Sequence, residues 1–262
     1  MDSINYIRAE DAGAVVVASS HGGLYSACKA VAAGVRGLIV NDAGVGLNGA
    51  GIAALGFSEP YGLAVATIAH DSARIGDVAD MQARGLVSNA NSHAGALGIA
   101  LGQSCSEAAA RMRDATPVKA AFADMQEYRH DEQIVDGAPA IICIDSASLI
   151  APGDAGRIVV TGSHGGLIGG RRDKAINVDC AFAAFNDAGL GRDSAGIGRL
   201  DPLNERGIAA VTVAHTSAEI GNARSTLHHG IISHANSLAQ DAGAVARMPL
   251  LMFLTDWLER KR

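Results

Sequence analysis

One set of polar motifs occurs twice in this chain, in the same order and at nearly the same spacing, so the fold must be built from two related units. Asp2, Ser3, Ile7 and Asp11-Ala12-Gly13 return as Asp145, Ser146, Ile150 and Asp154-Ala155-Gly156. Ser20-His21-Gly22-Gly23 returns as Ser163-His164-Gly165-Gly166, and Asn41-Asp42-Ala43-Gly44 as Asn186-Asp187-Ala188-Gly189. The stretch from Ala69 to Gly76, with His70, Ser72 and Ile75, returns from Ala214 to Gly221 with His215, Ser217 and Ile220. The period is too long for a solenoid. The chain therefore divides into a first repeat at 1–102, a helical connection or lid at 103–144, a second repeat at 145–247 and a C-terminal helix at 248–262.

Within the first copy, short apolar runs at 14–18, 37–40, 63–69 and 86–88 alternate with stretches of helical spacing at 24–33 and 72–84. The second copy repeats the order, with strand runs at 157–161, 180–185, 208–214 and 231–233. Alternating strands and helices predict an α/β fold of two pseudo-symmetric βαβ-type halves, its strands mainly parallel and covered by helices. With 32 glycines and 4% aromatic residues, the composition suits close packing and tight turns rather than base stacking, and a net charge of −6 speaks against a polyanion partner. No nucleic acid and no membrane partner is expected, since no apolar run reaches the roughly 18 residues a span requires. Cys28, Cys105, Cys143 and Cys180 lack Cys-x-x-Cys spacing and read as buried reduced thiols of a cytoplasmic protein. The C-terminal stretch, with Leu251, Leu254 and Leu258 on one face and Phe253 and Trp257 beside it, predicts core packing or a homo-oligomer contact.

Parallel α/β sheets bind ligands beyond the carboxyl ends of their strands, and the repeated polar motifs all fall at such ends. His21, Asp42 and His70 would form one catalytic set and His164, Asp187 and His215 a second, with histidines as acid/base groups and aspartates orienting them. Ser20, Gly22 and Gly23, with Ser163, Gly165 and Gly166, would offer backbone N–H donors to an oxyanion, and Asn41, Asn186, Asn91, Asn236 and Arg206 would contact substrate. Each has a plainer reading as a turn, a helix cap or a satisfied strand-end residue. Serines 72 and 217 are expected to cap helices.

Gly44, Gly46 and Gly49 spell the dinucleotide fingerprint, yet it follows the second strand and lacks a suitable acidic residue downstream. An apolar strand ending in Ser-His-Gly resembles the histidine strand of caspase-like cysteine peptidases. The next strand here ends at Asn41 or Asn186, where that family carries its nucleophilic cysteine, so its activity is not implied.

The expected function is that of a small-molecule enzyme, a hydrolase acting on an amide or related carbonyl compound, without a cofactor. A divalent metal held by His21, Asp42 and His70, or by His164, Asp187 and His215, is the mechanistic rival. From a different class, a non-catalytic binding protein for a small anionic metabolite or nucleotide would need the same loops without proton transfer. Because a substrate is rarely symmetric, residues that differ between the copies are a further source of chemistry: Tyr61 against Arg206, Arg74 against Glu219, and Arg171-Arg172.

Overall fold

A computed structural model describes residues 1–119, 125 and 127–260. Within them the chain is α/β, with two mainly parallel sheets of four and six strands flanked by helices. In the first half, β1 (Val15–His21), β2 (Gly37–Asn41) and β3 (Ala64–Ile68) run parallel in that order, and β4 (Val87–Ala90) closes the edge antiparallel to β3. The second sheet opens with β5 (Arg129–Glu132) and β6 (Ile141–Ile144), paired antiparallel. Beside β6 run β7 (Ile158–His164), β8 (Phe182–Asn186) and β9 (Ala209–Val213), all parallel, and β10 (Ile232–Ala235) closes that edge antiparallel.

Every residue of β2, β3, β8 and β9 is buried, as expected for central parallel strands covered on both faces. The edge strands turn antiparallel because the chain re-enters each sheet at the end where it left. The Ala69 N–H already binds the Leu86 carbonyl at 2.9 Å, and the intervening helix Val78–Arg84 is only about 10 Å long. That helix is shorter than its spacing suggested. Gly76 and Gly221, at φ +82° and +85°, keep the preceding residues out of it, and Asp77 and Asn222 supply the caps. Ser72 instead donates to the Ala69 carbonyl at 2.7 Å and accepts the Leu86 N–H, bracing the loop; Ser217 does the same with Ala214 and Ile231.

The connection contains the helix Cys105–Met112, started by a Ser104/Glu107 capping box, and also β5 and β6. Residues 120–124 and 126 of that connection, and 261–262 of the expected C-terminal helix, lie outside the described residues. The apolar face of the helix Leu250–Arg260 packs on its own sheet, with Phe253 and Trp257 each 5.6 Å from the Phe182 ring, centroid to centroid. All four cysteines are free and buried, and burial pushes the Cys105 and Cys180 thiols up to about 11. Among the described residues no helix is long and apolar enough to cross a membrane.

The loops after the parallel strands of one sheet meet those of the other. The contacts are reciprocal: the Leu47 N–H donates to the His215 carbonyl at 2.8 Å, and the Arg192 N–H to the His70 carbonyl at 2.7 Å. Ala43, Ile75, Ala188 and Ile220 form a small apolar core along this seam. Two of the residues that differ between the halves serve here. Arg74 pairs with Asp193 at 2.9 Å, and at the matching place Asn48 donates to Glu219 at 2.7 Å. Changing one partner is matched by changing the other.

Candidate functional site

The seam divides the six histidines and aspartates at the strand ends into two groups. Asp42 pairs with His70, and Asp187 with His215, each through Nδ1 and Oδ1 at 3.0 Å. The same Asp42 oxygen accepts the backbone N–H of His70 at 2.9 Å and that of Gly44 at 3.0 Å. Burial works against the Asp42 charge, but the bonds from the His70 ring, Gly44 and Ser88 outweigh it and hold the carboxyl below its ordinary value. Asp187 is likewise lowered against burial by His215, Ser233 and Gly189. The hydrogen bond to Asp42 raises His70, with burial opposing and the charges of Asp42, Asp71 and Asp187 adding to the rise.

These pairs flank a run of left-handed backbone in each half. Ala43, Gly44, Val45 and Gly46 all have φ between 49° and 72°, and Ala188, Gly189, Leu190 and Gly191 repeat the run between 50° and 77°. A β-branched residue such as Val45 pays for that region sterically, and such strain persists only where the surroundings enforce it. The seam does so, because a Cβ on Gly44 would lie 2.9 Å from the Gly189 Cα, with His215 equally close. Glycines 44 and 46 therefore serve a left-handed turn and a close approach of the two halves, and Gly49, at φ +70°, a further left-handed position.

His21 and His164 stand apart from the aspartates. Each Nδ1 accepts an N–H two residues on, from Gly23 at 3.2 Å and from Gly166 at 3.1 Å. Burial lowers His21 to about 4; burial, helped by Arg199 and His21, takes His164 well below its ordinary value. Both rings are thus neutral at neutral pH, and with Nδ1 accepting, the proton sits on Nε2. In that state each offers an Nε2–H donor. Among the described residues neither Nε2 has a protein partner, and both histidines line one cavity of about 740 Å³ between the two halves.

The glycines beside them do not supply the oxyanion donors expected from the sequence. The Gly22 and Gly165 N–H groups bind the carbonyls of Asn41 and Asn186 at 2.8 Å, and those of Gly23 and Gly166 are taken by the imidazoles. Their small size answers to packing: a Cβ on Gly22 or Gly165 would lie 2.7 or 2.4 Å from the carbonyl oxygen of Gly51 or Gly196. Ser20 and Ser163 line the cavity, while each hydroxyl accepts a backbone N–H, from Ile4 and Ala147, at 2.9 Å.

Other expected contacts are placed elsewhere. Asn91 and Asn236 are buried helix caps whose amides also bridge to β3 and β9. The Oδ1 atoms of Asn41 and Asn186 accept the N–H of Ala43 and Ala188 at 2.9 Å, fixing the turn. Arg206 pairs with Asp179 at 2.6 Å and donates to the Ile176 carbonyl. Neither proposed metal set is gathered. Among the described residues, the group of His, Cys, Asp or Glu close enough to share a metal is His130, Glu132 and Cys143.

Two cavity residues were not singled out from the sequence. Glu127, half-buried, is raised above its ordinary value by burial, with Ser146 and Tyr25 hydrogen-bonding to it. Nothing local marks it, since its neighbours form an ordinary charged stretch. Arg199 is 5% exposed and lines the cavity. Its Nε donates to the Gly166 carbonyl at 3.0 Å, its Nη1 donates to the Ala175 carbonyl, and its guanidinium lies 5.1 Å over the Phe185 ring. Among the described residues no carboxylate pairs with it, and burial lowers it to about 10. Comparison of the halves reveals it, because Ala54 holds the matching place: Ala54 and Arg199 donate their N–H to the Gly22 and Gly165 carbonyls. No protein-family profile, no characterised protein and no solved structure matches the chain.

Proposed function

We propose that the protein is a hydrolase that takes a small amide or related carbonyl compound carrying an anionic group into the cavity between its halves. The observation that supports this most is the placing of two neutral imidazoles, each with an unpartnered Nε2–H, on the wall of one cavity. Donors of this kind stabilise the charge that develops on a carbonyl oxygen under attack, and being neutral they give up no proton to solvent beforehand. Glu127 is the base: its carboxylate takes a proton from water as the water oxygen bonds the carbonyl carbon, and returns it to the leaving nitrogen as the C–N bond breaks. Arg199, buried without a carboxylate, receives the anionic end of the substrate.

Thermal-shift screening of small amides bearing a carboxylate, followed by product assays on each hit, tests this reading. Replacing His21 or His164 by Asn keeps an acceptor for the glycine N–H and removes the Nε2 donor; either change should lower kcat about 100-fold. Arg199→Gln should act mainly on KM. Hits that bind saturably and yield no product would replace the hydrolase by a binding protein for an anionic metabolite, the reading that the unpaired Arg199 also favours.

A further inference from the structure

A second cluster lies in the second half, on residues that do not line the cavity. In β5 and β6, His130 stands directly opposite Cys143, and Glu132 lies two residues along, on the same face of the strand as His130. The His130 Nε2 is 3.1 Å from one Glu132 oxygen, and the Cys143 Sγ is 4.0 Å from that same oxygen. From the helix Ala223–His229, the His228 Nε2 reaches the other Glu132 oxygen at 2.6 Å. The donor atoms of His130, Glu132 and Cys143 all lie within 4.8 Å of one another.

We propose that His130, Glu132 and Cys143 form a zinc site on the β5–β6 hairpin, with His228 bonding the other oxygen of the Glu132 carboxylate from the helix Ala223–His229. The donor set is what a borderline-soft divalent cation selects: one imidazole, one thiolate and one carboxylate, with the two anionic groups neutralising the ion. Tetrahedral zinc holds its ligands at about 2.0–2.3 Å, which places them about 3.3–3.8 Å apart, so the present spacings close by small rotations of side chains. Three protein donors leave the fourth tetrahedral position to a water. Cys143 itself is fully buried in the second sheet, with its Sγ within reach of the Glu132 carboxylate and the His130 imidazole.

The test uses the whole chain, purified without a histidine tag. Elemental analysis after incubation with zinc and removal of excess should give one zinc per chain. Replacement by Co(II) should produce a thiolate-to-cobalt charge-transfer band in the near ultraviolet. Cys143→Ser should abolish that band. The partly exposed positions give variants that should fold normally, as checked by circular dichroism: Glu132→Gln and His228→Asn should each weaken Co(II) binding at least about tenfold, and His229→Asn should leave it unchanged. Zinc at well below one per chain, or a charge-transfer band that survives Cys143→Ser, would overturn the proposal and leave Glu132 as a hydrogen-bond bridge between two imidazoles. The outcome is independent of any activity in the cavity.

Discussion

Gly44→Ala is expected to destabilise the protein by about 4 kcal/mol and to disturb both histidine–aspartate pairs at once. The residue has φ +72°, so a side chain there carries left-handed strain of about 1–2 kcal/mol. The new methyl would also sit 2.9 Å from the Gly189 Cα and from the His215 Cδ2. The backbone of the other half cannot step aside, because the Leu47 and Arg192 N–H groups tie the two loops together reciprocally. Overpacking against such a fixed neighbour costs about 1–3 kcal/mol more. A Cβ on Gly56 would meet nothing within 4 Å, so Gly56→Ala serves as the control, stabilising slightly if it changes anything. Urea unfolding of the two variants measures the difference. The loss at Gly44 should appear with a chemical-shift change at both His70 and His215; a loss no larger than the left-handed strain alone, about 1–2 kcal/mol, would mean that the two loops do not press against each other.

The α/β architecture was legible because the apolar runs at 37–40 and 180–185 are buried on both faces as β2 and β8, and because each polar motif punctuates a strand end. The direction of the edge strands was not, since β4 and β10 are reversed by short helices whose true start depends on Gly76 and Gly221 rather than on apolar spacing. At the candidate site, sequence pattern located the residues and left their partners open. His21, Asp42 and His70 lie at the ends of adjacent strands, yet the imidazole that Asp42 holds is that of His70, while His21 is held by the N–H of Gly23. Which nitrogen accepts decides whether an imidazole is base or donor, and no spacing in the sequence carries that information. Arg199 was within reach of the sequence, standing opposite Ala54 where the surrounding residues agree. Glu127 was not, because its contact with Ser146 and Tyr25 comes from folding the connection back over the first half.

Stability should fall as pH drops from 6.5 to about 4, in a window that belongs to His21 and His164. Both have folded pKa values below the unfolded value of 6.5, His21 at about 4 and His164 well below 6.5, because burial disfavours the charged ring. As pH falls through 6.5 the unfolded chain takes up protons that the folded chain refuses, so stability declines until the folded rings titrate. For His21 alone the interval from 6.5 to about 4 amounts to about 3 kcal/mol, and His164 adds to it. The other perturbed groups at the seam act outside this window or against it. His70 is raised, so its contribution is complete below 6.5 and is lost as pH rises through its folded value. Asp42 and Asp187 are lowered, so theirs is complete above their unfolded value of 3.8 and is lost only below that. Urea denaturation at intervals between pH 7 and 4 should therefore show a steep acid slope in the wild-type protein. His21→Asn and His164→Asn, which keep an acceptor for the Gly23 and Gly166 N–H, should each flatten it, and the double variant should nearly abolish it. A wild-type stability that stays level across this range would show that the rings are protonated in the folded protein, and with that the Nε2–H donors of neutral imidazole would lose their basis.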